Sequence, residues 1–324
     1  MNKMAIKPVG TYTVQKQEFL NSVINKIGRQ EYANQVYKNP LARLKGDFID
    51  CASDIEEIYV ARTQDTGYDK DGEGVFDRVK PDVRTQYHTY EVDHGFKKTI
   101  HDKEMRKGFL NAGALGTMAD NLLQSLHNGN VVSEYNDIIA TLKALVGSAT
   151  ASNTVVIDQV TDELSAKKLC KEIKKVIPKM EMWNTTYSTV ENYATTDKLM
   201  LFIDSDVDVE IQVEYLAGLF NMTVAQLNNT TKIVIPNMIK ELGCEALLMD
   251  ERCVKIHPTF YNIDSIRNTR GKFTNYDLVT SFLLSYTTWH QFCIFQSANA
   301  KANLTEVLKA KKVIDKKVKE LQDK

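Results

Sequence analysis

The sequence predicts an α+β chain that cannot satisfy all of its own contacts, and three observations carry that reading. Two strand-like runs, residues 55–62 and 85–92, flank about twenty residues rich in glycine and charge, too poor in apolar side chains to form a core. Apolar residues between 102 and 147 recur at helical spacing. Residues 154–258 alternate strand-like and helix-like segments around a continuous apolar run at 199–203.

The totals are those of a globular chain. With 324 residues, 43% hydrophobic and 26% charged, there is enough apolar material for one large core or two ordinary ones. A formal net charge of −1 argues against a dedicated nucleic-acid binder. Cysteines at 51, 170, 244, 253 and 293 form no C-x-x-C pair, which argues against a zinc ribbon or redox motif and for reduced thiols. Residues 1–20 lack a signal-type apolar run, and no stretch reaches bilayer-spanning length. Synthesis in the cytoplasm and no membrane partner are the expectations.

In chain order, Phe19, Leu20, Val23, Ile24 and Ile27 mark a helix over residues 14–27, closed by Gly28. A second helix starts near Pro40, with Leu41, Leu44, Phe48 and Ile49 inward. The strand at 55–62 leads into the glycine-rich arm, the strand at 85–92 returns from it, and a further strand follows at 95–100. Met105, Phe109, Leu115, Met118, Leu122, Leu123 and Leu126 form one helical stripe. Ser133 then precedes a second helix over 134–146, with Tyr135, Ile138, Ile139, Leu142 and Leu145 inward. The small polar connector after Gly147 is the best domain boundary.

Strands are expected at 155–160, 199–203, 232–235, 246–249 and 253–257, the last two joined as a hairpin through Asp250, Glu251 and Arg252. Helices are expected at 163–177, stopped by Pro178, and at 209–220. Dense aromatic and β-branched residues from 260 to 295 read as strands that return to the first half of the chain. Residues 301–324 read as an amphipathic helix with eight lysines against four carboxylates.

The search for chemistry finds little. Asp204, Ser205, Asp206 and Asp208 follow a buried strand and have the composition to hold Mg²⁺. The simpler reading is a helix cap: Ser205 and Asp208 have capping-box spacing, and carboxylates suit a helix N-terminus. Asp69, Asp71 and Gly72 suggest a calcium loop, but aligning Gly72 with the template's glycine puts Gly67 and Arg78 where acids are required. His88, His94 and His101 are read as solvent-facing strand residues, with a turn or bulge at Asp93, His94 and Gly95, and His257 and His290 as satisfied core histidines. The Walker A and Gly-x-Gly-x-x-Gly templates are absent. No catalytic, cofactor or metal residues are assigned.

The order of segments resembles the major capsid proteins of tailed bacteriophages with the Hong Kong 97 fold, above all those of small short-tailed phages. Three stretches carry the likeness: Tyr87 to Val92 with Phe96 to Arg106, Leu201 to Glu210 with Leu216 to Asn221, and Tyr261 to Tyr276 with Trp289 to Asn299. The resemblance implies an N-terminal helical arm (1–54), an extended β-hairpin loop (55–101), a peripheral domain with a spine helix (102–147) and an axial domain (148–258). It then implies return strands of the peripheral domain (259–300) and a C-terminal helix (301–324). It further implies a virion shell subunit, not an enzyme, that forms hexamers and pentamers around packaged double-stranded DNA. The partners it implies are a separate scaffolding protein and a portal protein.

In this reading the arm lies over a neighbouring copy. Gly67, Gly72 and Gly74 let it bend, and Tyr68, Val75, Phe76 and Val79 supply the buried contacts. Two alternatives remain open at this point: a cellular encapsulating nanocompartment, and a metal-dependent hydrolase built on the cluster from Asp204 to Asp208.

Overall fold

The computed structural model describes residues 35–49, 54–65, 67, 70, 78–101, 112–211 and 232–297. The helices expected at 14–27 and 301–324, and residues 212–220 of a third, lie outside the described residues.

Strands β1 (Ile55–Val60) and β2 (Val83–His88) pair antiparallel as an isolated two-stranded ribbon, with Ile55 opposite His88 and Val60 opposite Val83. The expected return strand at 85–92 is divided in two. β2 stops at His88, and β3 (Glu91–His101) begins in another sheet. Asp93, His94 and Gly95 form no turn: each pairs in register with β9 (Phe273–Tyr286), which β8 (Val254–Asn268) flanks on its other side.

Across this three-stranded sheet lies one helix, α1 (Ala112–Gly147), 36 residues and about 54 Å long. The two helices expected here are one, and Ser133 sits in its middle instead of capping a start. Leu126, Ile138, Ile139, Leu142, Leu145 and Val146 are buried at helical spacing. Gly129 does not interrupt α1 but lets it approach the sheet: a Cβ there would stand 3.1 Å from the Phe96 ring.

A five-stranded mixed sheet in the order β4-β10-β7-β5-β6 occupies the rest, from β4 (Thr154–Ile157), β5 (Leu199–Asp204), β6 (Lys232–Ile235), β7 (Ala246–Asp250) and β10 (Phe292–Ser297). β5 and β7 are buried at every position, and their alternate residues feed two cores. Leu199, Leu201, Ile203 and Leu248 face α2 (Glu163–Met180), with its Leu169, Ile173 and Ile177. Met200, Phe202, Leu247 and Met249 join Ile138, Leu142 and Leu145 of α1, together with Phe282 of β9. The second core therefore spans both sheets. Residues 259–300 do not act together as expected: β9 stays with β3 and β8, whereas β10 inserts between β4 and β7.

Helix α2 starts with Asp162 as N-cap in a reciprocal capping box with Ser165. It runs past Pro178 to Met180, and Leu164, expected inward, is 65% exposed. Leu41 and Leu44 are buried as expected, but only a single 3-10 turn, Ala42–Leu44, forms there, so Phe48 falls off the inner face and is exposed. The hairpin expected through Asp250 is absent. Asp250 instead caps a 3-10 turn, Glu251–Cys253, and binds Arg252 at 2.7 Å, while the chain passes from one sheet to the other.

The four described cysteines are buried and unpaired. Burial pushes the Cys170 thiol up to about 11 and the Cys293 thiol up to about 12, so both behave as small apolar side chains.

Candidate assembly surface at the root of the arm

In the β1–β2 register, directly opposite residues share a face. Glu56, Ile58 and Val60 stand opposite Tyr87, Thr85 and Val83, and this face points to solvent. Ile58, Val60, Val83 and Tyr87 are between 51% and 63% exposed, an apolar strip beside Glu56 and Thr85 on a ribbon with no third strand among the described residues. The opposite face carries Glu57, Tyr59, Gln86 and His88 and rests on the body of the molecule. This is the reverse of the usual arrangement, in which an antiparallel pair turns its apolar side inward.

The body-facing contacts are mainly polar, beside one ring contact between Tyr59 and Trp289 with centroids 6.2 Å apart. Glu57 accepts hydrogen bonds from His290 Nε2 at 2.9 Å and His88 Nε2 at 3.3 Å, and lies 3.4 Å from Lys255 Nζ. Burial alone would raise the Glu57 carboxyl; the two histidine hydrogen bonds and the Lys255 charge together outweigh it and hold the group well below the usual carboxylate range. Tyr59 donates its hydroxyl to the Glu191 carbonyl at 3.2 Å, and Arg62 pairs with the Glu191 carboxylate at 2.7 Å. The Thr287 hydroxyl donates to Gln86 Oε1.

Farther along the arm, Gly67 adopts φ +78°, a left-handed turn that Asp65 closes by accepting the Gly67 N–H at 2.9 Å. Val79 is 67% exposed. Tyr68, Gly72, Gly74, Val75 and Phe76 lie outside the described residues. The apolar strip at the root was missed in the sequence, although Ile58 and Val60 at period two carry its signal; the expectation concentrated on the glycine-rich tip.

The acidic run after β5 is a cap, displaced by one residue from the expected one. The short helix α3 (Ser205–Glu210) begins at Ser205 itself, so the capping residue is Asp204. Asp204 Oδ1 accepts the Asp206 N–H at 2.8 Å, and Oδ2 accepts the Ile239 N–H at 3.0 Å, at the start of α4 (Met238–Glu241). One buried carboxylate thus serves two helix starts. The Ser205–Asp208 box does not form; Asp208 pairs with Lys232 on β6. Among the described residues no three His, Cys, Asp or Glu side chains converge as metal ligands.

His88, expected on the surface, is buried, and His94 pairs with Asp137 of α1 at 2.5 Å. His257 and His290 are hydrogen-bonded as expected, to the Asp47 carbonyl and to Glu57 respectively, but both are half-buried and not core residues.

The whole arrangement is similar to solved phage capsids. It matches the capsid structure of Staphylococcus phage Andhra with a TM-score of 0.71 at 12% identity, over 84% of this chain and 87% of that one. It matches the mature capsid of bacteriophage PhiM1 with a TM-score of 0.56 at 10% identity, over 84% and 91%. The fold is therefore that of tailed-phage capsid proteins, the Hong Kong 97 type. In sequence, the chain is 28% identical over 303 residues to the major capsid protein of Bacillus phage PZA and 27% identical over 300 residues to that of Bacillus phage B103. Each alignment covers 90% of this chain and 64% of the relative, so the chain spans about two-thirds of the length of those proteins or slightly less. Neither a nanocompartment nor a hydrolase is favoured by these likenesses. With the family model for the Phi29-like phage major capsid protein matching residues 2–296, the chain belongs to that family.

Proposed function

We propose that this chain is a major capsid subunit that assembles with copies of itself into an icosahedral or prolate head around double-stranded DNA. The observation that carries the proposal is the apolar strip of Ile58, Val60, Val83 and Tyr87, exposed on a ribbon whose polar side is already occupied. Burying such a strip on a neighbour contributes roughly 1 kcal/mol per side chain. A single contact of that size is weak, but a closed lattice repeats it many times. The arm beyond the ribbon, with Gly67 at its left-handed turn and Val79 exposed, extends the same contact.

In this reading residues 148–258 form the axial part that meets its counterparts at the centre of hexamers and pentamers. Residues 102–147 and most of 259–300 form the peripheral part. A scaffolding protein and a portal protein complete the assembly, and the subunit works in the virion after synthesis in the host cytoplasm, without catalytic activity. The near-neutral charge suits a lining that does not grip phosphates.

Deletion of residues 65–80 is expected to leave a folded, soluble subunit that forms no shells by sedimentation or negative-stain microscopy. Normal particles from that deletion would remove the arm from the argument. A native chain that stays monomeric at high concentration, alone and with its scaffold, would remove the shell reading itself.

A further inference from the structure

We propose that Glu57 is a latch that sets the angle at which the arm leaves the subunit, and that it is built to be released. The inference takes its consequence for assembly from the shell reading, but the latch itself is a property of the single chain. Among the described residues, one cluster of four polar side chains joins the body side of the ribbon to the rest of the chain. Glu57 on β1 meets His88 on β2, Lys255 on β8 and His290 in the segment before β10. Behind them stand uncharged partners: Ser285 of β9 lies 2.6 Å from His88 Nδ1, and Asn192 lies 3.3 Å from His290 Nδ1. A second charged contact among the described residues pairs Arg62 with Glu191 in the segment between α2 and β5.

The carboxylate fixes the hydrogens that face it. A carboxylate only accepts, so both histidines present Nε2–H to Glu57. On the far side of each ring the Asn192 amide meets His290 Nδ1 and the Ser285 hydroxyl meets His88 Nδ1. The Glu57 carboxylate thus faces the Lys255 ammonium and two ring N–H donors. Exposure of these four side chains is 15% for Glu57, 0% for His88, 11% for His290 and 19% for Lys255, so removing the carboxylate strands an ammonium and two ring donors away from bulk water.

Polar attachment also explains why the latch can open. Detaching an apolar ribbon would expose hydrocarbon. Detaching this one separates a single ring pair, Tyr59 and Trp289, and otherwise exposes mainly groups that water can satisfy, leaving the outward apolar side chains free to follow a neighbour. A two-stranded ribbon is marginally stable by itself, so its ladder reports whether the latch is closed.

The test uses the full-length chain before assembly. Tryptic cleavage after Arg62 and Arg84 is followed site by site with mass spectrometry, alongside hydrogen exchange at 55–60 and 83–88. Glu57→Gln is expected to speed both on the order of tenfold, with exchange in β5 and β7 unchanged. Lys255→Met, which keeps the carboxylate, should move both readouts in the same direction and serves if Glu57→Gln fails to fold. Native rates in a folded Glu57→Gln chain, or in Lys255→Met where that chain is used, would overturn the latch. The two proposals fail separately: a latch that opens in a chain unable to build shells leaves the latch standing, and normal shells with unmoved cleavage rates remove the latch alone.

Discussion

Asp204 is a single carboxylate asked to start two helices, and its energetics follow from that. It is 1% exposed and accepts the Asp206 and Ile239 N–H groups. Losing one cap costs about 1 kcal/mol, and here two donors are orphaned in a dry site, so Asp204→Ala is expected to cost about 2 kcal/mol or slightly more in urea unfolding. Asp206→Ala removes an exposed side chain whose backbone, not its carboxylate, makes the contact; it should stay within about 0.5 kcal/mol of the native chain. Two glutamates, Glu245 beside Asp204 and Glu57 at the ribbon, set opposite pH dependences. Burial raises the Glu245 carboxyl above its ordinary value, the adjacent Asp204 charge adds to this, and a hydrogen bond from Ser297 opposes it. A raised folded value means stability that is full below about pH 4.5 and declines as the pH rises through the folded value, so Glu245→Gln should stabilise the chain at pH 7. The Glu57 value is lowered, so its contribution is full above about pH 4.5 and is lost as the pH falls through the folded value. Glu57→Gln should therefore flatten the acid side of a stability–pH profile measured by denaturant titration.

At the scale of elements, the ribbon and the long helix test different physics. Val83→Ser or Ile58→Ser alters a side chain that already faces water, so subunit stability should change by less than about 0.5 kcal/mol while shell yield falls sharply. A matched loss of stability and yield would show that the strip belongs to the subunit's own core. In α1, Gly129 lies against the Phe96 ring, and Gly129→Val forces helix and sheet apart at a cost of about 1–3 kcal/mol. These elements also show what the sequence made legible. Strong local patterns read correctly: the apolar run of β5, the inward face of α2 apart from Leu164, and the existence of both arm strands. What failed depends on distant partners. Gly129 and Ser133 look like interruptions until Phe96 and the sheet beneath them are present to hold one continuous helix. His88 looks like a surface residue until Glu57 and Ser285 close over it. The cap after β5 was placed one residue late, because the capping residue is also the strand's last residue.

At the scale of the whole molecule, the boundary expected at Gly147 is a change of sheet but not a break in the core. Ile138, Leu142 and Leu145 from before it pack with Met200, Phe202, Phe292 and Ile294 from after it, and with Phe282 of the three-stranded sheet. β10 adds a covalent tie, since the chain leaves β9 in one sheet at Tyr286 and, after five intervening residues, enters the other between β4 and β7 at Phe292. A subunit built this way transmits load between its two sheets through packed side chains instead of through a hinge. The same packing predicts cooperative unfolding. Phe202 is fully buried and belongs to the shared core, so Phe202→Ala should cost about 3–5 kcal/mol. That loss should appear equally in both sheets: urea transitions followed by hydrogen exchange in β8 and β9 and in β5 and β7 should shift together to a lower midpoint. Two separated transitions, with only β5 and β7 displaced, would instead establish two independently stable bodies joined at Gly147.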